Sequence, residues 1–573
     1  MGRGATRVLD RLAASLGKLD GAPIHFEFVE DVPNGGVLLA LPSLLQNGLL
    51  THSRELFSMP EGFYPLETIF LLLAFMALAR LQCFEQLRYV SPGEWGKLVG
   101  LDRIPEVRTL RYKVAQLCSQ EGHAQRWSQA LAQDWMQAEP ESAGVLYIDG
   151  HVRVYHGQLT DLPRRYVARE RLCLRGTTDY WLNAMDGRPF FCVTKAVDPG
   201  LIAVLKELIP RLETEIPGQP GAEALLADPL LSRFCVVFDR EGYSPELFAW
   251  LKERRIAILS YRKFTDGADW PQEEFSPCQV VLVHGESVVM DLAERGVRLS
   301  NGLWLREVRR LTHSGHQTAI LSTDYRASLS GVAVAMFARW CQENFFKYMR
   351  ENFGLDRLAE HGIQPLPETT RVINPAWREL DSQARRETGL LTKLTRQLAQ
   401  SALPAELPPR KVEAFERQRG DLQEQISHHQ ARLTQLKDQR KAQPKHVLLK
   451  DLPEKDRFSQ LKTERKHFVD TIKLIAYRAE TALAHAARET MTREDDARSL
   501  LRQIFTTEAD LIPDHAKQTL TVRLHPLSAS VHDRVIQALC AELTATETTF
   551  PGTGLRLVFQ SLGSIPFAGD QDV

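Results

Sequence analysis

Three acidic residues of the chain have the types and the surroundings of metal ligands. Asp149 and Asp239 each end a short apolar run that is typical of a β-strand, and Glu343 lies in the segment 338–347, which has helical periodicity. Two carboxylates at strand ends and one on a helix can hold two divalent cations against a phosphodiester, where they activate the attacking oxygen and stabilise the leaving one. Mg²⁺ suits such a site because it prefers hard oxygen ligands.

Alternating strands and helices would position these acids. An aspartate after a strand is more often a turn residue or a helix cap, so the surrounding elements matter. Short apolar and β-branched runs predict strands at 144–149, 151–155, 179–184, 189–194, 233–238 and 256–261. Helical periodicity is found at 198–212, at 244–253 and near 329–351. This order predicts a mixed α/β sheet, in which ligand sites lie at the carboxyl ends of strands.

A β-rich insertion separates the second aspartate from the glutamate helix. It covers residues 262–325, with candidate strands at 279–283, 302–308 and 318–322. With this insertion, the α/β region extends from residue 141 to residue 365.

The N-terminal region, residues 1–140, is predicted to be mostly helical. Within it, the segment 91–113 has the pattern of a short helix, a turn and a second short helix. Arg108, Arg111 and Lys113 give the second helix a basic side. The segment is interpreted either as a helix-turn-helix that docks on DNA or as an ordinary helical hairpin with solvated charges.

Residues 366–510 are charged and helical, with a heptad pattern that begins at Val412. The a positions are Val412, Arg419, Ile426 and Leu433, and the d positions are Phe415, Leu422, His429 and Leu436. Two polar seam positions and few heptads favour an antiparallel helical hairpin over a long dimeric coiled coil. The stretch 432–466 has eleven Lys and Arg against five Asp and Glu. A solvated face is the favoured explanation, and a phosphate-contacting arm is the alternative. Residues 511–573 are predicted to form a small β-α-β cap.

The composition limits the class of protein. Hydrophobic residues make up 43% of the 573 residues and charged residues 25%, which is typical of globular proteins. The formal net charge of −1 excludes a global basic field, so any basic DNA-binding patch must be local. Eight scattered cysteines argue against a disulfide framework or a zinc site and favour a reducing cytoplasm. The apolar run 68–79 is too short for a membrane span, which needs about 20 residues, and it predicts a buried helix.

The order of these elements resembles the RNase H-like catalytic core of DDE transposases from bacterial insertion sequences. The runs 147–155 and 237–243 are similar to the first β-hairpin and to the second-aspartate strand of that core. One branch of the family has the pattern Tyr-x2-Arg-x3-Glu-x6-Lys around its glutamate. This chain keeps the Arg-x3-Glu spacing as Arg339 and Glu343, but has Met336 at the tyrosine position and Arg350 at the lysine position.

The resemblance implies roles for individual residues. Asp149, Asp239 and Glu343 would coordinate two Mg²⁺ ions, which Mn²⁺ can replace. Arg339, Lys347 and Arg350 would contact DNA phosphates, and Arg339 and Lys347 lie one turn before and after Glu343. In an insertion of this kind an aromatic residue can stack on a flipped base, and Trp304 is the candidate. Two residues beyond Asp149, His151 would face either the substrate or a structural partner. Three aromatic residues are expected to pack the glutamate helix against the sheet: Trp340, Phe345 and Phe346.

The resemblance also implies partners and a location. The substrate would be double-stranded DNA, both the terminal inverted repeats of the element and the target DNA, held by a homodimer. The location would be the cytoplasm of a bacterium, in association with the nucleoid and without a membrane partner.

Three functions are compatible with these features. The leading one is a transposase that performs cut-and-paste DNA transposition by Mg²⁺-dependent cleavage and strand transfer. The alternatives are an RNase H-like nuclease without strand transfer and a non-catalytic, domesticated DNA-binding protein.

Overall fold

A computed structural model describes residues 4–60, 62–160, 162–167, 169–263, 269–283, 285–357, 359–360, 362–400, 409–528 and 532–562. The chain forms two compact units. The larger unit is built from residues 1–155, 164–362 and 461–573, and the smaller from residues 156–163 and 363–460.

The N-terminal part of the larger unit is mostly helical. Its elements are α1 (Val8–Ser15), β1 (Val29–Val32), α2 (Leu41–Gln46), α3 (Ser53–Leu56), α4 (Leu66–Leu78), α5 (Pro92–Lys97), α6 (Val107–Leu117) and α7 (His123–Ala138). The apolar run 68–79 forms most of α4, and every residue of this helix from Thr68 to Leu78 is buried. The prediction of a buried helix is therefore confirmed. In the described part of the chain, no helix is long and apolar enough to cross a membrane.

The next part contains the strands and helices expected to position the acids. They are β2 (Val145–Val154), β3 (Arg164–Val167), β4 (Leu172–Asn183), β5 (Pro189–Lys195), α8 (Leu201–Glu215), α9 (Ala222–Ala227), β6 (Cys235–Phe238), α10 (Pro245–Glu253) and β7 (Ala257–Tyr261). Strand β2 is antiparallel to β4 and parallel to β6, and β6 is parallel to β7. Apolar side chains of β2, β4 and β6 belong to the main core of this unit.

The β-rich insertion extends this sheet. Its strands are β8 (Ser276–Val281), β9 (Ser287–Arg298), β10 (Trp304–Leu311) and β11 (Gln317–Ser322). Over the described residues, the strands form a mixed sheet of ten with the order β3-β4-β2-β6-β7-β11-β10-β9-β8, and β5 also pairs with β4. This large mixed sheet confirms the predicted mixed α/β class. The long strand β9 was missed because six of its twelve residues are exposed and four are charged, so it lacks a continuous apolar run.

Two details of this region differ from the sequence-based predictions. Residues 145–154 form one continuous strand, so the β-hairpin predicted in the run 147–155 is wrong. Gly150 continues the strand and pairs with Tyr180 of β4. The helix predicted near 329–351 is two helices, α11 (Leu329–Phe337) and α12 (Arg339–Phe353). Met336 is fully buried in α11, within an apolar cluster.

The smaller unit contains the helical hairpin. Its elements are β12 (Ile363–Gln364), β13 (Arg371–Ile373), α13 (Pro375–Gln400), α14 (Pro409–Ala442) and β14 (His446–Leu448). His429 and Arg440 of α14 contact Glu387 and Asp381 of α13, respectively. Because the partner numbers fall as the α14 numbers rise, the two helices are antiparallel, as the heptad pattern predicted.

The C-terminal part completes the larger unit. The boundary with the smaller unit falls within β15 (Gln460–Leu461), and the elements that follow are α15 (Glu464–Arg488), α16 (Ala497–Thr506), β16 (Ala509–Asp514), β17 (Thr519–Leu524), α17 (Asp533–Ala545) and β18 (Arg556–Ser561). Strands β17 and β18 are parallel and are joined through α17, which is the predicted β-α-β arrangement. β16 and the N-terminal strand β1 complete a four-stranded sheet. Helix α15, assigned to a charged hairpin region from the sequence, is instead a largely buried helix of the core.

Candidate active site

Parallel strands bring Asp149 and Asp239 to the same level of the sheet. The last residue pair between β2 and β6 is Tyr147 with Val237, and each aspartate lies two residues further on. Asp149 lies in the middle of β2 rather than at its end, because pairing with β4 continues to Val154. With respect to β6, however, Asp149 stands at the carboxyl edge, where the expected site lies.

Helix α12 brings Glu343 to the same place through Arg339. The Nη2 atom of Arg339 lies 3.4 Å from Oδ2 of Asp149 and 4.0 Å from Oε1 of Glu343. Arg339 and Glu343 are four residues apart and therefore lie on one side of the helix. The side chain of Arg339 is 13% exposed, that of Asp149 is 23% exposed and that of Glu343 is 53% exposed. The predicted acids thus meet at an edge that is half open to solvent.

Mutual repulsion between carboxylates marks this edge. Burial, together with the negative charges of Asp239 and Glu343, raises the pKa of Asp149 to about 6, although Arg339 and the Gly150 N–H oppose the shift. Burial, together with Asp198, Asp239 and Asp149, also raises the pKa of Glu241 to about 7. Like charges that face each other in this way are relieved by a bound cation. Because all the donors are carboxylate oxygens, the residues fit Mg²⁺ or Mn²⁺.

The ligand atoms of Asp149, Asp239 and Glu343 do not all lie within 4.8 Å of one another. Among the described residues, one His/Cys/Asp/Glu group has ligand atoms that all lie within 4.8 Å of one another, and it is a different one: Asp31, Asp510 and His525. A pair of ions about 3.5–4 Å apart spans a wider set of ligands than a single ion. Oδ1 of Asp239 accepts a hydrogen bond of 2.8 Å from the Glu241 N–H, which leaves Oδ2 for a metal.

The group of Asp31, Asp510 and His525 is neutralised by protein groups. His525 Nε2 lies 2.9 Å from Asp510 Oδ1, and Arg523 Nη2 lies 2.8 Å from Asp510 Oδ2. Although burial opposes it, these partners and the Asp31 N–H hold the pKa of Asp510 below its usual value. The contacts satisfy Asp510 without a metal ion.

An open pocket lies in front of the acids. It is lined by Asp239, Arg240, Tyr261, Arg310, Thr318, Phe337, Arg339, Trp340 and Glu343. Trp340 is 66% exposed, so the expectation that it packs α12 against the sheet is wrong. Phe345 is buried, and Phe346 contacts Trp181 and His151, so the expectation is confirmed for these two residues.

Two arginines at this pocket were not identified from the sequence. The guanidinium of Arg240 lies 5.7 Å from the centre of the Tyr261 ring, and that of Arg310 lies 4.9 Å from the centre of the Phe337 ring. In the described part of the chain, neither has an acidic partner within 4.0 Å. Arg240 directly follows Asp239, so its position next to a candidate ligand was the available signal. Arg310 had no such signal, because its place depends on the pairing of β10 with β11.

The other predicted DNA-contacting residues have different environments. Lys347 is exposed one turn beyond Glu343, and Arg350 is half-buried near the end of α12. On α6, Arg108 is exposed and Arg111 pairs with Glu85. Lys113 is buried; its Nζ donates to the carbonyl oxygen of Pro60 at 3.4 Å, and burial lowers its pKa.

His151 and Trp304 do not line the pocket. His151 is buried, its Nε2 lies 2.6 Å from Oδ1 of Asp356, and its ring stacks on Phe346. These contacts favour the structural role for this histidine. Trp304 is 47% exposed at the start of β10 and stacks on Tyr325, with ring centres 5.6 Å apart.

Comparisons with known proteins indicate the family of the chain. No curated protein matches it. Among solved structures, the chain is similar to a cryo-EM structure of a piggyBac transposase synaptic complex with hairpin DNA. The identity is 10%, over 77% of this chain and 75% of that chain. The TM-score is 0.27, which is too low to assign the fold. A family model described as "Transposase protein" matches residues 2–563, and the chain therefore belongs to this transposase family.

Proposed function

We propose that this chain is a metal-dependent DNA transposase of the DDE type, with Asp149, Asp239 and Glu343 as the ligands of two Mg²⁺ ions. The observation that carries the proposal is the meeting of these three acids at one edge of the sheet, where the pKa values of Asp149 and the neighbouring Glu241 are raised. Neighbouring strands of the sheet, in the order β5-β4-β2-β6-β7, are proposed to form an RNase H-like core, and β8–β11 to form its insertion. Membership of a transposase family supports the choice of DNA as substrate.

The reaction is proposed to proceed by two phosphoryl transfers. In the first, a water oxygen bonds to the scissile phosphorus and the bond to the 3′ oxygen breaks, which leaves a 3′-hydroxyl on the element. In the second, this 3′ oxygen bonds to a phosphorus of the target strand and the target's own 3′ oxygen leaves with a proton. Bound Mg²⁺ would supply the positive charge that activates the attacking oxygen and stabilises the leaving one.

The pocket residues are proposed to position the DNA. Arg240 and Arg310 have no acidic partner among the described residues and can hold backbone phosphates on either side of the reacting one. The exposed ring of Trp340 can stack on a base. Farther from the acids, Lys347, Arg350 and Arg108 are proposed to contact phosphates. Two copies of the chain are proposed to act together, because an element has two ends and each must be joined to the target DNA.

The proposal is tested with three conservative variants: Asp149→Asn, Asp239→Asn and Glu343→Gln. Each is expected to lower Mg²⁺-dependent cleavage of labelled DNA from the flanks of the coding region by at least about 100-fold, while DNA binding persists. Glu351→Gln is the matched control, because Glu351 is exposed on the same helix and two turns from Glu343. Its activity is expected to equal that of the wild type.

The outcomes separate the three candidate functions. Undiminished cleavage by any one of the three variants would remove that residue from the proposed site. Cleavage without joined products would favour a nuclease without strand transfer. Binding without cleavage, with either Mg²⁺ or Mn²⁺, would favour the non-catalytic DNA-binding protein.

A further inference from the structure

Arg339 occupies the place between two of the candidate metal ligands. Oδ1 of Asp149 accepts a hydrogen bond of 2.8 Å from the Gly150 N–H, and Oδ2 faces Nη2 of Arg339 at 3.4 Å. Both oxygens of Asp149 therefore have a partner. The same Nη2 atom lies 4.0 Å from Oε1 of Glu343. A metal ion that bound Oδ2 of Asp149 would have to take the position of the guanidinium.

The charge of Arg339 makes it a lasting competitor for that position. A guanidinium stays protonated at every pH at which a protein is folded, so it cannot leave by losing its proton. With a 13% exposed side chain, Arg339 is shielded from the solvent that would weaken its attraction to the carboxylates. In the chain without ions it supplies one of the positive charges that the repelling carboxylates need.

The surroundings provide a second position for the guanidinium. Arg339 is the first residue of α12 and lines the open pocket together with Arg240 and Arg310. A DNA phosphate in this pocket would attract the guanidinium, because planar guanidinium groups bind phosphate oxygens in a bidentate manner. A long side chain at a helix start can turn from the carboxylates toward the pocket while the backbone stays in place.

We propose that Arg339 is an internal counter-ion that competes with the metal ions for Asp149 and Glu343 and leaves them when a DNA phosphate enters the pocket. This inference rests on the proposed function, because it assumes that these acids bind the metals. Its consequence is a linkage: metal binds weakly to the free protein and more tightly to the protein with DNA. By reciprocity, metal increases the affinity for DNA by the same factor. The competition would limit metal loading, and thus cleavage chemistry, to the DNA complex.

The test measures Mn²⁺ affinity of the full chain without DNA, by titration with electron paramagnetic resonance of free Mn²⁺ at pH 8. Arg339→Met keeps a long side chain and removes the charge, so we expect the Kd for Mn²⁺ to fall by about tenfold or more, given the strength of a charge interaction at 4 Å in a partly buried site. Arg339→Lys keeps the charge and is expected to stay within about threefold of the wild type.

Arg310→Met is the matched control. It removes the same charge from the same pocket, but Arg310 has no acidic partner among the described residues, so the Kd for Mn²⁺ is expected to change by less than about threefold. Thermal unfolding in EDTA gives a second measurement. Without its counter-ion, Arg339→Met is expected to unfold at a lower temperature than the wild type and to gain more from added Mn²⁺. Circular dichroism of each variant shows whether it is folded, and Arg339→Gln replaces Arg339→Met if that variant is not.

The outcomes distinguish this inference from the proposed function. An unchanged or higher Kd in the folded, uncharged variant, with Mn²⁺ binding lost in Asp149→Asn, would overturn the role of Arg339 and leave the metal site intact. Mn²⁺ binding that survives Asp149→Asn unchanged would instead overturn the metal site itself.

Discussion

One face of strand β2 has two charged positions with opposite environments. Asp149 and Arg153 are four residues apart, so their side chains point to the same side of the sheet. Arg153 forms a buried ion pair with Asp179 of β4, which also accepts a hydrogen bond of 2.6 Å from Thr194. Burial opposes ionisation at Asp179, yet Arg153 and Thr194 hold the pKa of its carboxyl below the usual value. At Asp149, burial and like charges raise the pKa instead.

The two positions differ in how fully their charges are compensated. We call the Arg153–Asp179 pair the sealed end, and the edge with Asp149, Asp239 and Glu343 the open end. At the sealed end, every charge of the Arg153–Asp179 pair has a partner, and the pair is covered by the core. At the open end, the single guanidinium of Arg339 faces the carboxylates of both Asp149 and Glu343. Incomplete compensation costs stability and is retained where a ligand will complete it, which supports the proposal that the open end is the functional one. This comparison predicts that substitutions at the two ends change the free energy of unfolding in opposite directions.

The largest expected effect is at the sealed end. Asp179→Asn keeps the shape of the side chain but leaves the Arg153 guanidinium buried without a counter-charge. Breaking one partner of a buried pair is expected to lower the free energy of unfolding by about 3–5 kcal/mol. Urea unfolding at pH 7, followed by circular dichroism, measures this change.

The Lys195–Glu207 pair is the matched control. It joins the neighbouring strand β5 to α8, and its glutamate side chain is 55% exposed. Glu207→Gln is expected to cost less than about 1 kcal/mol, since exposed pairs contribute little. A loss in Asp179→Asn no larger than in Glu207→Gln would contradict the idea that compensation at the sealed end stabilises the fold.

A smaller effect on stability is expected at Lys473, a buried charge whose hydrogen bonds to the described residues include no acidic partner. Lys473 of α15 is buried and has backbone carbonyl partners, Gly354 at 3.1 Å and Gln82 at 3.4 Å. Burial and the charge of Lys466 lower its pKa to about 7. Between pH 7 and pH 10 the unfolded lysine is protonated and the folded one increasingly neutral, so the free energy of unfolding rises with pH. Relative to Lys473→Met, we expect the wild type to gain on the order of 3 kcal/mol over this range.

Lys466 provides the control for this prediction. It lies two turns earlier on α15 and forms a buried ion pair with Asp470. Lys466→Met leaves Asp470 without its cation and is expected to lower the free energy of unfolding at pH 7, whereas Lys473→Met is expected to raise it. If both substitutions destabilise the chain equally, the carbonyl partners of Lys473 compensate its charge fully.

The sequence allowed the sheet, and the placement of the three acids at one of its edges, to be predicted because the signals are local. Apolar runs followed by Asp149 and Asp239 mark the two parallel strands, and Arg339 at its spacing from Glu343 marks the helix. The heptads from Val412 indicate the antiparallel hairpin for the same reason. Each of these patterns is contained within one element.

The remaining features depend on contacts between distant segments. Gly150 suggests a turn, but pairing with Tyr180 keeps it within β2. The charged residues of α15 suggest a solvated helix, whereas Lys466, Asp470 and Arg478 are buried beside partners that the sequence does not place there. Trp340 was expected to pack the glutamate helix against the sheet, but it is exposed in the first turn of α12, directly after the break between α11 and α12. Arg310 reaches the pocket through strand pairing in the insertion.

The smallest expected effect is at the open end and has the opposite sign. In EDTA, the Asp149 carboxyl of the folded chain keeps its proton up to a pH of about 6, because its pKa is raised, whereas in the unfolded chain the carboxyl loses its proton near the ordinary aspartate pKa of 3.8. Between these values the folded state binds more protons, so the free energy of unfolding falls as the pH rises. Relative to Asp149→Asn, the wild type is expected to lose on the order of 2 kcal/mol across this range, measured by urea unfolding.

Asp356 gives the contrast that decides the comparison. Burial opposes its ionisation, but His151 and Arg169 hold the pKa of Asp356 below its usual value. In the acid range the Asp356 carboxyl therefore binds more protons in the unfolded state than in the folded state. Its contribution to the free energy of unfolding is lost as the pH falls. Asp356→Asn has no carboxyl at this position, so this part of the pH dependence is expected to disappear. For each variant, the free energy of unfolding of the wild type relative to the variant is measured against pH. If this difference falls with pH for Asp149→Asn and rises with pH for Asp356→Asn, the uncompensated charge lies at the open end. Equal slopes would mean that Arg339 already compensates Asp149 as fully as His151 and Arg169 compensate Asp356, and the open end would then need no metal.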